Sequence, residues 1–200
     1  MSRALSFLAC LAFGFATAEA AIDMTPALRE STENGITSKH LVFKDGAREI
    51  TYELPSQWTH RSVGDSVKLI PPSGTMVDIV MKAIPLTSPQ PLDEKGVAAV
   101  HEHFLRDVPP AAQALTVASE QLNTVPFGAT NCEITATYQA LGEVFVRRAL
   151  YINLPDRQLI FRLSARRSEF ENLWRTFRGS ILSWHWTDPV AQDGPKTASN

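Results

Sequence analysis

The chain has 200 residues, 44% hydrophobic and 20% charged, with a formal net charge of −2. A near-neutral balance excludes a nucleic-acid partner, which needs a concentrated basic surface. No Lys/Arg-rich amphipathic stretch suits a membrane surface either.

Met1-Ser2-Arg3, the apolar run from Ala4 to Ala18 and the exit Ala18-Glu19-Ala20 form the three parts of a secretory signal peptide. The run falls short of the about 20 residues that span a bilayer. Residues 1–20 are therefore expected to be removed, leaving an exported, periplasmic or secreted chain without a transmembrane segment. Leu8-Ala9-Cys10 lies too close to Arg3 to serve as a lipid-attachment box. With Cys10 gone, Cys132 is the one thiol left and no intramolecular disulfide can form. The core must hold the fold alone.

Residues 21–38, polar and interrupted by Pro26 and Asn34-Gly35, read as an irregular lead-in with room for one short helix. Leu41-Val42-Phe43 and Ile50 to Leu54 flank Lys44-Asp45-Gly46-Ala47, a hairpin pattern. Pro55 ends the second strand, and Trp58 folds back over the sheet edge. Further strands are predicted at Val67 to Ile70 and Met76 to Ile84, the latter with Val77, Ile79, Met81 and Ala83 on one face. Pro85 to Pro91 is an internal loop. Asp93 caps a helix running to about Asp107, with Val97, Val100 and Phe104 as its stripe and Pro109-Pro110 as its stop.

The C-terminal half alternates most clearly. Thr130 to Ala140, Val144 to Leu154 and Leu159 to Ala165 are predicted as three successive strands. A turn centred on Pro155-Asp156 sets Ile152 opposite Leu159 and Leu150 opposite Phe161. Phe145, Ala149, Tyr151 and Ile160 make the other face apolar too, which calls for layers on both sides of the sheet. Ser168-Glu169-Phe170-Glu171 reads as a capping box opening a helix striped by Phe170, Leu173, Trp174, Phe177 and Ile181. The expected fold class is α+β: a largely antiparallel sheet with helices on both faces, an α/β/α sandwich. It forms one domain over 39–186, followed by a disordered tail at 187–200.

The segment Tyr52-Glu53-Leu54-Pro55-Ser56-Gln57-Trp58, the later meander and the closing helix ending Ile181-Leu182-Ser183-Trp184 resemble the PsbP-like and MOG-like α/β/α sandwich superfamily. The likeness runs from about Thr37 to Trp186. It implies a binding or accessory role more than catalysis and transfers no catalytic residue.

No chemistry-bearing constellation competes with that reading. His101 and His103 lie two apart on a helix and cannot share an ion, because zinc helices use i and i+4. His101 borders the apolar stripe and His103 faces solvent. No nucleophile elbow, Walker loop or dinucleotide fingerprint occurs. Cys132 sits on the apolar side of its strand, as a buried thiol would. No catalytic residue, cofactor or metal is assigned.

Two residues stand out as candidate contacts for a ligand or partner. Arg148 falls on the apolar face set by Val146, Leu150 and Ile152, where a charge must be paired. Either a bulge at Arg147-Arg148 or a stem laid over the core explains it, or else an anionic group binds at a pocket mouth. Trp186 either closes the edge of the core or belongs to a partner surface. The expected function is a non-enzymatic accessory or binding protein of the cell envelope, with another envelope protein or a small ligand as partner. The alternatives are a hydrolase with a dispersed site and a lipid or small-ligand carrier with a pocket near Arg148.

Overall fold

In the computed structural model, residues 22–73, 76–126 and 128–187 are described. The expected leader at 1–20 lies outside them, as does the expected tail apart from Thr187. Strand β1 (Asp23–Glu33) and β2 (Ile36–Asp45) form a hairpin across Asn34-Gly35. Both turn residues have positive φ, 51° and 79°, as the tightest hairpin turn requires. The expected irregular lead-in is thus an edge strand and the start of its neighbour. Its exposed, polar side chains hid the alternation, because neither face of β1 beyond Met24 is covered.

Strand β3 (Arg48–Leu54) pairs with β2 through the predicted Asp45-Gly46 turn. Trp58 folds back after Pro55, its N–H donating to the Pro55 carbonyl, and is buried. Strands β4 (Thr59–Val63), β5 (Ser66–Ile70) and β6 (Asp78–Pro85) follow as a meander. Helix α1 (Glu94–Arg106) begins at Asp93, whose carboxylate accepts from the Gly96 N–H at 2.9 Å. Gly96 cannot carry a side chain, since a Cβ there would sit 1.9 Å from the Pro91 carbonyl oxygen.

Strands β7 (Gln113–Leu122), β8 (Thr130–Ala140), β9 (Glu143–Asn153) and β10 (Arg157–Arg166) complete the large sheet. The β9–β10 register sets Ile152 opposite Leu159 and Leu150 opposite Phe161, as the Pro155-Asp156 turn predicts. Helix α2 (Arg167–Ile181) leads to the short β11 (His185–Thr187). The capping box does not form. Arg166 takes the N-cap position without a side-chain cap bond, leaving Ser168 inside the first turn.

The expected α/β/α sandwich is corrected by these elements. The described residues form two antiparallel sheets, ordered β1-β2-β3-β11 and β4-β5-β6-β10-β9-β8-β7, with only two helices. The apolar residues on both faces of β9 and β10 have a different cause from two helical layers. One face packs against the smaller sheet and α2 together, in a core that holds Leu41, Phe43, Ile50, Met81, Leu150, Phe161 and Phe177. The other carries a smaller cluster in which Val100 and Phe104 of α1 meet Ile134, Ala149, Tyr151 and Ile160. A second sheet, which sequence alternation reads no differently from a helix layer, fills the space assigned to helices.

Trp184 joins the two sheets. Its ring lies 5.1 Å from Phe43, 6.3 Å from Tyr52 and 5.4 Å from Phe161, at tilted or edge-on angles that aromatic pairs favour. Trp184→Ala should therefore destabilise the fold by about 3–5 kcal/mol, the usual cost of emptying a large aromatic site. Urea unfolding of the two proteins measures it, and a loss below about 1 kcal/mol would show that the sheets do not depend on this ring.

Candidate functional site

No bulge separates Arg147 from Arg148. Arg148 stands opposite Thr135 on β8 and Leu163 on β10, in unbroken register. Its charge is handled by the neighbouring strand and by α2. The Nε–H donates to Thr135 Oγ1 at 2.8 Å, and Glu133 Oε1 lies 3.6 Å away. The guanidinium carbon sits 5.1 Å from the Trp174 ring and 5.2 Å from that of Phe170. Such stacking fixes the plane of an arginine while leaving its edge free. Nη1 and Nη2 have no hydrogen-bond partner among the described residues. Glu171 Oε1 is 3.9 Å from Nη2, too far for a hydrogen bond.

These groups open on a cleft of about 450 Å³ between α2 and the segment from Thr124 to Pro126. Arg175 and Arg178 project from α2 into the same cleft, and Val125, Pro126 and Leu182 make its apolar wall. The wall is tied down. Asn131, buried on β8, donates to the carbonyls of Val125 and Ala129 and accepts from the Val125 N–H. Thr124 donates to Glu133 at 3.2 Å, and Arg178 donates to the Thr124 carbonyl at 2.7 Å. Trp174 lines the floor with a buried indole N–H that has no partner among the described residues.

The sequence pattern missed Asn131, Glu133 and Thr135. All three are buried, although they occupy the polar side of an alternating strand. The signal lay in pairing rather than in composition: Thr135 stands directly opposite the misplaced Arg148.

Trp186 sits elsewhere. It is half-buried on β11 opposite Ile50, packs edge-on against Trp184 at 6.2 Å and donates its indole N–H to Asp45 at 2.9 Å. Asp45 is buried against Arg157 of β10, which also binds Asp156. Burial works against the Arg157 charge, but the hydrogen bonds that its guanidinium donates to Asp156 and Asp45 raise its pKa overall. Trp186, Arg48 and Arg157 border a separate depression of about 420 Å³.

The histidines do not assemble. His101 pairs with Glu120 of β7 at 3.0 Å. His103, expected to face solvent, is half-buried beside Tyr151 with ring centroids 5.8 Å apart. Burial lowers the His103 pKa, and the nearby Asp107 partly offsets that. Among the described residues no group of three His, Cys, Asp or Glu side chains is placed to hold a metal ion.

Cys132 is fully buried, and burial, with the charges of Glu120 and Glu133, pushes its thiol up to about 11. A thiolate nucleophile needs the opposite environment. Iodoacetamide at pH 8 should leave Cys132 unmodified in the native chain and alkylate it once urea unfolds the protein, as mass spectrometry would read. Because the folded pKa exceeds the unfolded one, its contribution to stability is complete below about pH 9 and declines as pH rises toward 11. Rapid alkylation of the native chain would contradict the buried placement.

No family model and no curated protein matches this chain. Among solved structures it is similar to cyanobacterial PsbP (CyanoP) from Synechocystis sp. PCC 6803, with a TM-score of 0.53 at 12% identity. That match covers 88% of this chain and 96% of the other. It is also similar to PA94, a Pseudomonas aeruginosa protein of unknown function, at a TM-score of 0.39 and 10% identity over 62% of this chain and 94% of that one. At such identities a likeness speaks to the fold alone, and the fold it supports is PsbP-like.

Proposed function

We propose that the chain is an exported, non-enzymatic binding or accessory protein of the cell envelope, which holds an anionic group of its ligand or partner at Arg148. One observation carries this reading. Arg148 is stacked in place and hydrogen-bonded through Nε, yet at the cleft its two terminal nitrogens make no hydrogen bond among the described residues. An arginine fixed in this way has lost its side-chain entropy before the ligand arrives, so binding need not supply it.

The residue types present favour holding a ligand over transforming one. Among the described residues the lining side chains include no His, Cys or Ser to act as base or nucleophile. Glu171 is the one carboxylate among them, and its side chain is 72% exposed. The lipid-carrier alternative needs an apolar cavity beneath α2, where Phe170, Phe177 and Ile181 are completely buried in the core. Export rests on the leader pattern at the N-terminus. Among the described residues no helix is long and apolar enough to cross a membrane.

Comparative affinity capture from the native envelope tests this. The wild-type protein should retain a stoichiometric small molecule or protein that Arg148→Gln loses, with both species read by native mass spectrometry. Thermal unfolding of the variant establishes that it is folded. Equal retention by the two proteins, or turnover of the retained molecule by the wild type, would overturn the proposal.

A further inference from the structure

We propose that the Arg148 cleft takes a monocarboxylate with a short apolar body, and that Glu171 stands in the carboxylate's place until it binds. This rests on the reading of the cleft as a binding site and names the class of ligand.

Charge balance selects the anion. Arg148, Arg175 and Arg178 line the cleft, opposed by Glu171 and by Glu133 behind Arg148. Three cations against two carboxylates leave one positive charge, which a single carboxylate neutralises. That surplus calls for an anion, and the shape of the site decides which one.

Geometry agrees with that choice. With Nε spent on Thr135, the guanidinium presents Nη1 and Nη2 as a two-pronged edge, the arrangement that accepts a planar carboxylate bidentately. Beside it Val125, Pro126 and Leu182 offer apolar contact, and Leu182 is 54% exposed. A ligand with only charge would leave that surface wet.

Glu171 is the internal rival. It lies 3.9 Å from Nη2, near enough to feel the charge but not hydrogen-bonded, and it is free to swing into solvent. With Glu171 open to water and no hydrogen bond made, such a pair is weak. A ligand carboxylate that makes two direct hydrogen bonds displaces it at small cost. The same chemistry is offered by a free short-chain acid and by the C-terminal residue of a peptide.

Titrations followed on the indole N–H resonance of Trp174, assigned with Trp174→Phe, test this on the full chain. The probes are octanoate, octanamide, inorganic phosphate and a leucine-terminated peptide in free and amidated forms. Saturable shifts are expected with octanoate or the free peptide and not with the neutral forms or phosphate. Whichever of the two carboxylates binds identifies the source. Arg148→Gln should weaken binding by about tenfold or more. Glu171→Gln, an exposed change that does not threaten folding, should tighten it by about threefold. Unchanged or weaker affinity in Glu171→Gln overturns the displacement. Phosphate binding as tightly as octanoate, still dependent on Arg148, overturns the carboxylate class while leaving the cleft as a binding site. If no probe shifts Trp174, the carboxylate proposal falls, while the cleft as a binding site stands or falls with the Arg148→Gln capture.

Discussion

The packing of Trp184 between the two sheets is the contact on which the rest of the molecule depends. The chain leaves the large sheet at β10, runs through α2 and must return to the small sheet at β11. Three turn hydrogen bonds, from the N–H groups of Leu182, Ser183 and Trp184 back to Arg178, Ser180 and Ile181, reverse it within a few residues. Ser180 then meets the Tyr52 hydroxyl at 2.6 Å, and Ser183 accepts from the Glu53 N–H at 2.7 Å. Trp184 fills the space these bonds enclose. Its indole N–H is buried without a partner among the described residues, at a cost of about 1–3 kcal/mol. Burial of the ring, with its aromatic contacts, outweighs that loss. The shape of the ring is retained at the expense of its polar atom.

A second tie between the sheets is ionic. Asp45 ends β2 and Arg157 begins β10, and the two are buried together with the Trp186 indole donating to the same carboxylate. The free energy of such a pair is close to balanced, because desolvation offsets attraction. Its consequence is positional. Each sheet contributes one half of this buried pair, so sliding either sheet would part Asp45 from Arg157 and leave each with only its local ion partner, Arg48 or Asp156. Aromatic packing therefore supplies stability and the ion pair supplies alignment, in a fold without a disulfide among its described residues.

Elements with one covered face were legible in the sequence, and elements with none were not. The strands at Val144 to Leu154 and Leu159 to Ala165, with their register, follow from side-chain period and one proline turn. Asp93 announced α1 because its carboxylate does what an N-cap carboxylate does. β1 and β7 are edge strands with mostly exposed side chains, so burial imposes no alternation on them. The Asn34-Gly35 pair was the overlooked sign of a hairpin at β1. The layer count failed for a related reason. Two-sided burial shows that something covers a strand, but whether a helix or a sheet does so depends on where distant segments pair. The site was half legible. Arg148 drew notice by breaking the pattern, whereas Glu133 and Thr135 kept to theirs and became its partners through β8–β9 pairing.

That pairing explains why a charged residue persists inside this sheet. On the α2 side, β8 offers Asn131, Glu133 and Thr135 where β9 offers Val146, Leu150 and Ile152. The polar row of β8 needs donors, and the first to arrive is Arg148, one strand over. Asn131 meanwhile spends its amide on the carbonyls of Val125 and Ala129, holding Val125 in the opposite wall of the cleft. A lysine at 148 would meet the charge of Glu133 but would neither stack on Trp174 nor present a planar edge. A methionine would fit the apolar face and leave Glu133 buried without its cation. The local rule broken by Arg148 is thus repaired by two buried polar neighbours, Thr135 and Glu133. The surplus left over, two oriented N–H groups at a fixed opening, is what the cleft has to offer a ligand.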